Sequence, residues 1–545
     1  MPADPTVPSD DQGAAVPRRA AGHGPVPQVT GDPAGSTAPR RAVTPEPTAA
    51  DGAGMGSAMG WTVLGTLLPG LGLWRSGRRV AGSIVMAVVI LLAFGLLAVA
   101  VTQRQGTLAI AMNSQVLQWA ALALLVIAVA WVIVIGATHL ALRPSGATTG
   151  QRVAGAALVG GLSFVVAAPL AFGANVAYSA SSLVSSVFGE ENSSKTLPTI
   201  TNTVDPWLEK ERLNVLILGG DSGTGRSEKV GMRADTVIVA SIDTKTGSTT
   251  LFSLPRQTAR MPFPDDSPLS GYFPNGWYDG RDPKNADYFL NAMYRFAPHY
   301  VPEDVLGDTK FLSADIMKIS VGEALGLDID YFVTINMDGF KDIINALGGI
   351  TVNVNYRVPI GGKTDEKVPP SDWIEPGPNQ HLTGRKALWY ARGRYGLDDY
   401  SRMERQRCVI NAVVQQANPQ NVLMNFEKIA AAGEKTVITD IPESMVYPML
   451  TLANRVQGTK LRSIVFINGK NGFSTLDPDW ALVRKQVKTA LKETTKANKK
   501  AETSPSASAT GTASPSDEPT SVKPSKSAKP KSDDLASECA YNPKN

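Results

Sequence analysis

Three stretches of the chain, Val80–Val101, Val116–Leu142 and Val153–Tyr178, contain no Asp, Glu, Lys or Arg, and their one histidine is His139. A bilayer core takes about 20 apolar residues, and each stretch is that long. The core helix of a soluble protein shows a polar face at helical spacing, and these show none. A fourth stretch, Trp61–Trp74, is shorter and broken by Pro69, Gly70 and Gly72. It reads as a re-entrant or interfacial segment, or a short span. Arg75, Arg78 and Arg79 precede the first long stretch, Arg104 alone follows it, and Arg143 and Arg152 lie between the next two. Arginine-rich flanks stay on the cytoplasmic side. The alternation therefore predicts that the chain leaves the cytoplasm after Tyr178, with everything beyond it external. The polar segment ahead of the apolar block is too long for a cleavable signal peptide.

The apolar block divides the remaining sequence. Residues 1–59 are rich in Pro, Ala, Gly and Thr and have almost no bulky apolar side chains. They cannot bury a core and read as a disordered cytoplasmic segment. Residues 60–179 form the membrane region, 180–211 a linker and 212–495 a globular domain. Residues 496–545 form a Ser/Pro/Lys-rich tail that reads as disordered apart from the final few. Its lysines, Lys523–Lys531, are a solvated linker or an attractor of anionic polymer. A net charge of +4 over 545 residues gives no support to nucleic-acid binding. Two cysteines, Cys408 and Cys539, form no metal-ligand pattern. Outside the cytoplasm they could pair as a disulfide, or stand as two unrelated thiols.

The globular block alternates strand and helix. Leu213–Leu218 is an apolar run that enters Gly219-Gly220, as a buried strand enters a loop. Thr236–Ile242 and Thr249–Leu254 flank the turn Asp243–Gly247 and read as a hairpin. Ser313–Leu325 is helical, Tyr331–Ile335 a strand, Phe340–Leu347 a helix stopped by Gly348-Gly349, and Ile350–Val354 a strand. Helices around Gly384–Arg392 and Tyr400–Ala417 follow a Pro/Gly-rich insert. A strand at Leu461–Ile467 and an amphipathic helix at Trp480–Leu491 come last. That order indicates an α/β domain, an α-β-α sandwich.

The loop Gly219–Ser227 nearly matches a phosphate-binding loop, but Arg226 stands where lysine belongs, and ATP is scarce outside the cell. Asp221 ends the first strand and Asp235 begins the second, so adjacent strand ends could bring two carboxylates together. Such a pair suits a hard cation that also binds substrate phosphates, although each aspartate could instead serve only its own turn. Arg256 ends the hairpin strand, Arg392 and Arg394 end one helix, and Arg402, Arg405 and Gln406 share the next. The guanidinium fork suits phosphate, but Asp398, Asp399 and Glu404 among these arginines leave a surface ion-pair network open. His299 and His381 stand outside any HExxH or GxSxG motif, so zinc-protease and serine-hydrolase chemistry find no support.

Three runs resemble the LytR-CpsA-Psr family. They are LNVLILGGDSGTGRSEKVGMRADTVIVASIDTKTGSTTLFSLPRQT, DYFVTINMDGFKDIINALGGITVNV and HLTGRKALWYARGRYGLDDYSRMERQRCVINAV. They occur in the family's order, and the resemblance extends to neither the membrane block nor the tails. It implies an α-β-α domain that transfers a glycopolymer from a polyprenyl-pyrophosphate carrier to peptidoglycan, with the lipid in an apolar pocket. By motif, Asp221 and Asp235 resemble the metal carboxylates for Mg2+ or Mn2+. Arg233, Arg256, Arg392, Arg394, Arg402 and Gln406 resemble the pyrophosphate contacts, with Arg256 and Asp235 catalytic. The family usually has aspartate where this chain has Gln257, and serine where it has Ala234. A neutral amide is no general base, which leaves Asp398 or another group for that role. Two rival readings remain: a pyrophosphatase that uses water as acceptor, and a non-catalytic envelope regulator or binding protein.

Overall fold

The computed structural model describes residues 54–102, 113–188, 193–200, 205–222, 232–364, 366–417, 437–502 and 533–543. Most of the N-terminal segment, Arg104, Gly223–Ser227 of the glycine-rich loop and the Lys523–Lys531 run lie outside these residues.

Among the described residues, the apolar block forms five helices: α1 (Met55–Leu67), α2 (Leu71–Arg75), α3 (Arg79–Thr102), α4 (Ser114–Leu142) and α5 (Thr149–Val187). Among the described residues, α4 and α5 are long and apolar enough to cross a membrane. The described apolar run of α3, Arg79–Gly95, is shorter. Asn113 caps α4, and Thr148 opens α5 with a capping box to Gln151. The broken segment Trp61–Trp74 turns back on itself. Gly70 adopts φ 98° between α1 and α2, and the Arg75 guanidinium returns to 5.8 Å from the Trp61 ring. Gly65 and Gly72 make the close approach possible, since a Cβ on Gly65 would stand 3.3 Å from the Gly72 nitrogen. This geometry is that of a helical hairpin.

The globular part is built on a seven-stranded mixed sheet. Its strands are β1 (Arg212–Gly220), β2 (Ala234–Asp243), β3 (Thr249–Leu254), β4 (Tyr331–Ile335), β9 (Val437–Thr439), β10 (Arg462–Val465) and β11 (Asp533–Asp534). The spatial order is β11-β10-β3-β2-β1-β4-β9. β1, β2 and β3 form an antiparallel meander, while β4 and β10 join in parallel. Side chains alternate across the sheet, as period two requires. Leu216, Leu218, Val237, Val239, Phe252 and Leu254 face one core. Leu213, Val215 and Ile217 face another. The first face is covered by α7 (Leu290–Phe296), α8 (Leu312–Leu325) and α13 (Trp480–Glu502), after the short helix α6 (Pro268–Tyr272). Both faces are covered, giving the mixed α/β layering expected from the order of elements.

A smaller cluster stands at the other side of the sheet. Helices α9 (Met337–Ala346), α10 (Gly384–Arg392) and α11 (Asp399–Gln416) pack with two ladders. One pairs β5 (Ile350–Val354) with β8 (Gly377–Leu382). The other pairs β6 (Val358–Lys363) with β7 (Val368–Ile374). The Pro/Gly-rich insert of the sequence is thus largely strand. Helix α12 (Val446–Gln457) completes the second sheet face.

Parts of the linker and of the C-terminal tail pack on the domain. In the linker, Phe188, Leu197 and Ile200 pack on the core around Trp207, Leu213 and Tyr331. The Ser194 and Thr196 hydroxyls donate to buried Asp315 at 2.7 and 2.6 Å. Close by, Lys318 is wholly enclosed and bonds to Asp440 Oδ2 at 2.6 Å. At the C-terminus, β11 extends the sheet and α14 (Leu535–Glu538) lies on α11, where Cys539 forms a disulfide with Cys408. Their Cα atoms are 5.5 Å apart. The described end of the tail is therefore part of the domain, and the paired alternative for the cysteines is the one realised.

Candidate functional site

A cavity of about 190 Å3 opens at the C-terminal end of β1, between the sheet and helices α9, α10 and α11. Glycine shapes its rim. A Cβ on Gly219 would come 2.8 Å from Thr236, and one on Gly220 would come 2.3 Å from Met232 Sδ. A register shift at Gly219/Gly220 opens the β1–β2 pair there. Asp221 follows at once. Its backbone N–H donates to the Arg233 carbonyl at 3.1 Å, and its Oδ1 accepts from the Arg233 backbone N–H at 2.9 Å. Gly220 is opposite Ala234, the first residue of β2, so Asp235 lies one residue into β2 near Asp221, and both aspartates line the cavity.

Six of the eight residues expected from sequence line this one cavity: Asp221, Asp235, Arg392, Arg394, Arg402 and Gln406. Arg256 is joined to it through Asp235, with Nη1 2.9 Å from Oδ1. The eighth, Arg233, directs its guanidinium to Asp287 at 2.8 Å and over the Phe296 ring at 5.5 Å. The floor is apolar and includes Ile217, Phe340, Leu388, Val409 and Ile410. A charged rim thus stands over a greasy base.

The electrostatics follow from crowding. Burial pushes the Asp235 carboxyl up. Arg256 and Arg402, with hydrogen bonds from Arg256 and Asn291, outweigh that and hold it below the usual carboxylate range. Burial works against the charge on Arg256, but Asp235 and Asp399 more than restore it. Burial pushes Arg402 down to about 10, so it stays charged at neutral pH. Arg402 Nη2 donates to the Asp235 carbonyl and to Asp399 Oδ2, both at 3.1 Å.

Sequence reasoning missed Asn291 and named Asp399 only as a member of a possible ion-pair network. Asn291 on α7 donates to Asp235 Oδ1 at 3.1 Å. Asp399 at the start of α11 lies 3.3 Å from Arg256 Nε and also holds Arg402. Asp398, the alternative base, caps α11 by accepting from the Ser401 N–H at 2.6 Å. That bond, more than any other cause, holds its carboxyl low. Arg405, on the same helix as Arg402, turns away to the Tyr390 and Gly393 carbonyls and the Tyr356 hydroxyl, and is structural. His381 lies on the β5–β8 ladder and His299 on a surface turn, away from the cavity lining. Among the described residues, no group of three His, Cys, Asp or Glu side chains could hold a metal ion.

Comparison with known proteins places this arrangement. The chain is 32% identical over 236 residues to an Enterococcus faecalis protein named polyisoprenyl-teichoic acid–peptidoglycan teichoic acid transferase TagU. That match covers 43% of this chain and 62% of the relative. It is 29% identical over 240 residues to biofilm regulatory protein A of Streptococcus mutans, covering 44% of this chain and 52% of that one. The matched region therefore spans under two thirds of these relatives' lengths. The crystal structure of Bacillus subtilis TagV is 26% identical, covers 52% of this chain and 97% of its own, and superposes with a TM-score of 0.35. The profile of the LytR_cpsA_psr family matches residues 177–500, which hold every strand of the sheet but β11, the cavity and every candidate site residue. More than half of the chain is thus accounted for, and the chain belongs to the LytR_cpsA_psr family.

Proposed function

We propose that this protein is a membrane-anchored phosphotransferase that moves a glycopolymer from a polyprenyl-pyrophosphate carrier to peptidoglycan. The observation that carries this reading is the single cavity in which Asp221, Asp235, Arg392, Arg394, Arg402 and Gln406 surround an apolar floor. Guanidinium groups match the oxygens of a diphosphate in charge and in fork geometry. The floor suits the first part of a lipid chain. The name of the Enterococcus faecalis relative, a teichoic acid transferase, agrees with the chemistry.

In the reaction, a hydroxyl oxygen of the acceptor attacks the phosphorus bonded to the sugar. The bond from that phosphorus to the bridging oxygen breaks, polyprenyl phosphate leaves, and the hydroxyl proton ends in solvent. Phosphoryl transfer through a loose transition state asks mainly for positioning and charge neutralisation. That suits a site whose best-placed carboxylate, Asp235, is held ionised and is a weak base. Arg392, Arg394 and Arg402 hold the diphosphate, and Arg256 keeps Asp235 in place while adding positive charge beside it. Hard carboxylate oxygens on Asp221 and Asp235 fit Mg2+ or Mn2+, which typically take one or two carboxylates plus substrate phosphates. Such a cation would neutralise charge on the diphosphate.

The same reading puts the domain outside the cell, on a multi-pass membrane anchor. Helices α4 and α5 are antiparallel, with Arg143 and Arg152 near one end and Ser114 and Ser181 paired at the other, beside the domain. The positive-inside rule then assigns the domain to the external face. A disulfide in the domain suits an oxidising compartment. The test is transfer of labelled glycan from its lipid carrier to peptidoglycan by the full-length protein in bilayers. Arg256→Ala and Arg392→Ala should each abolish attachment while the melting curve stays cooperative. Full attachment by both variants would refute the proposal. Release of free glycan phosphate without attachment would instead favour the pyrophosphatase.

A further inference from the structure

We infer that Glu443 docks the globular domain onto the outer end of the membrane hairpin, and so fixes the height and tilt of the cavity above the bilayer. This rests on the transferase reading above and adds to it a positioning residue far from the chemistry. Ser114 opens α4, where backbone N–H groups lack helical partners and the helix dipole is positive. One Glu443 oxygen accepts the Ser114 backbone N–H, and the other accepts the Ser114 hydroxyl at 2.9 Å. Glu443 belongs to the domain, 329 residues further along the chain. The hydroxyl of Ser181, wholly buried, donates to the Ser114 carbonyl at 3.0 Å and brings the end of α5 into the same junction.

The junction continues into the core. Phe188, one residue past α5, packs on the cluster of Trp207, Leu213, Tyr331 and Met445. Met445 ends the short turn that Glu443 begins. The domain is therefore held at two kinds of contact, one apolar and one charged. A carboxylate on a helix N-terminus at a membrane edge gains from the low surrounding dielectric.

Geometry shows what this contact controls. Thr439 pairs with Val333, which pairs with Ile217, and Ile441 then packs with Leu213 and Val215 near the start of β1. Glu443 follows, toward that end. Asp221 lies off the opposite end of β1, eight residues beyond Leu213. At the strand rise, that is about 26 Å from docking point to charged rim. With such an arm, a tilt of about 20° would carry the rim sideways by roughly 9 Å. A membrane-bound donor must find that rim from a fixed surface, whereas a soluble donor need not.

The test uses the full-length protein in lipid nanodiscs, as wild type, Glu443→Ala and Glu443→Lys. Energy transfer is measured from a fluorophore at exposed Lys363 to acceptor-labelled lipid headgroups. Transfer rates are measured with a long-chain donor in the bilayer and with a short-chain, water-soluble polyprenyl-diphosphate glycan. Wild type should give one narrow energy-transfer value, and both variants a shifted and broadened one. The ratio of bilayer-donor to soluble-donor rate should fall roughly tenfold in the variants, the scale of one charged hydrogen bond. The soluble-donor rate should hold near wild type, which also shows that the fold survives. Unchanged energy transfer, or an equal fall with both donors, would overturn the inference. If wild type uses neither donor, the transferase reading fails, and energy transfer alone still decides whether Glu443 docks the domain.

Discussion

Asp235 sits where the guanidinium and amide groups of Arg256, Arg402 and Asn291 converge. The family resemblance leads one to expect an aspartate after the hairpin arginine; here the exposed Gln257 follows it. Orientation of Arg256 is nevertheless supplied, because Asp399 on α11 lies 3.3 Å from its Nε. We therefore expect Asp399→Ala to cut the transfer rate by about 10- to 100-fold, and Gln257→Ala to change it by less than about threefold, since only the former breaks a contact at the site. The pH response follows from the depressed Asp235 carboxyl. A lowered folded value makes the Arg256 pair stabilising above the unfolded carboxylate value, and that contribution is lost as pH falls through the folded value. Donor binding should thus hold steady from neutral pH down to the ordinary carboxylate range and fail only below it, as titration calorimetry across pH would show. That Asp221, Asp235, Arg392, Arg394 and Arg402 could gather was legible because each sits at or near the end of an element whose pattern is readable, whereas Arg233 turns to Asp287. Asn291 was not legible, because its importance depends on a contact with a residue on another element, which no local pattern encodes; for Asp399 the sequence offered ion pairing but not its partner Arg256 on a distant element.

Among the elements, the sheet and its main helices were legible from alternation and helical spacing. The insert before α10 was not. Its strands β6 and β7 carry prolines and the positive-φ glycines Gly361 and Gly362, which sequence reasoning takes as loop. The C-terminal strap shows a further limit. β11 has only two residues, and its docking is secured by the Cys408–Cys539 disulfide and the Arg407–Glu538 ion pair. The bridge closes 131 residues, so opening it should cost about 2–5 kcal/mol, read as a lower melting temperature in reductant or in Cys539→Ser. The buried Lys318–Asp440 pair makes a second test of element packing. It ties α8 to the end of β9, and Lys318→Met would leave Asp440 enclosed without its cation. A loss of about 3–5 kcal/mol in denaturant melts is expected.

For the whole molecule, length and composition alone marked α4 and α5 as long and apolar enough to cross a membrane. Length did not show that Trp61–Trp74 turns back on itself, which depends on Gly65, Gly72 and the Arg75–Trp61 contact acting together. Nor could it show that Phe188, Leu197 and Ile200 pack on the domain core. The account as a whole rests on a diphosphate-bearing lipid seated in the cavity at the end of β1. Native mass spectrometry of the full-length protein, released gently from its own membranes, tests this most directly. We predict a bound polyprenyl phosphate or diphosphate species on the wild type and its loss from an Arg392→Ala/Arg394→Ala double variant that remains folded. A wild type that carries no such lipid, or a double variant that retains it equally, would contradict the account.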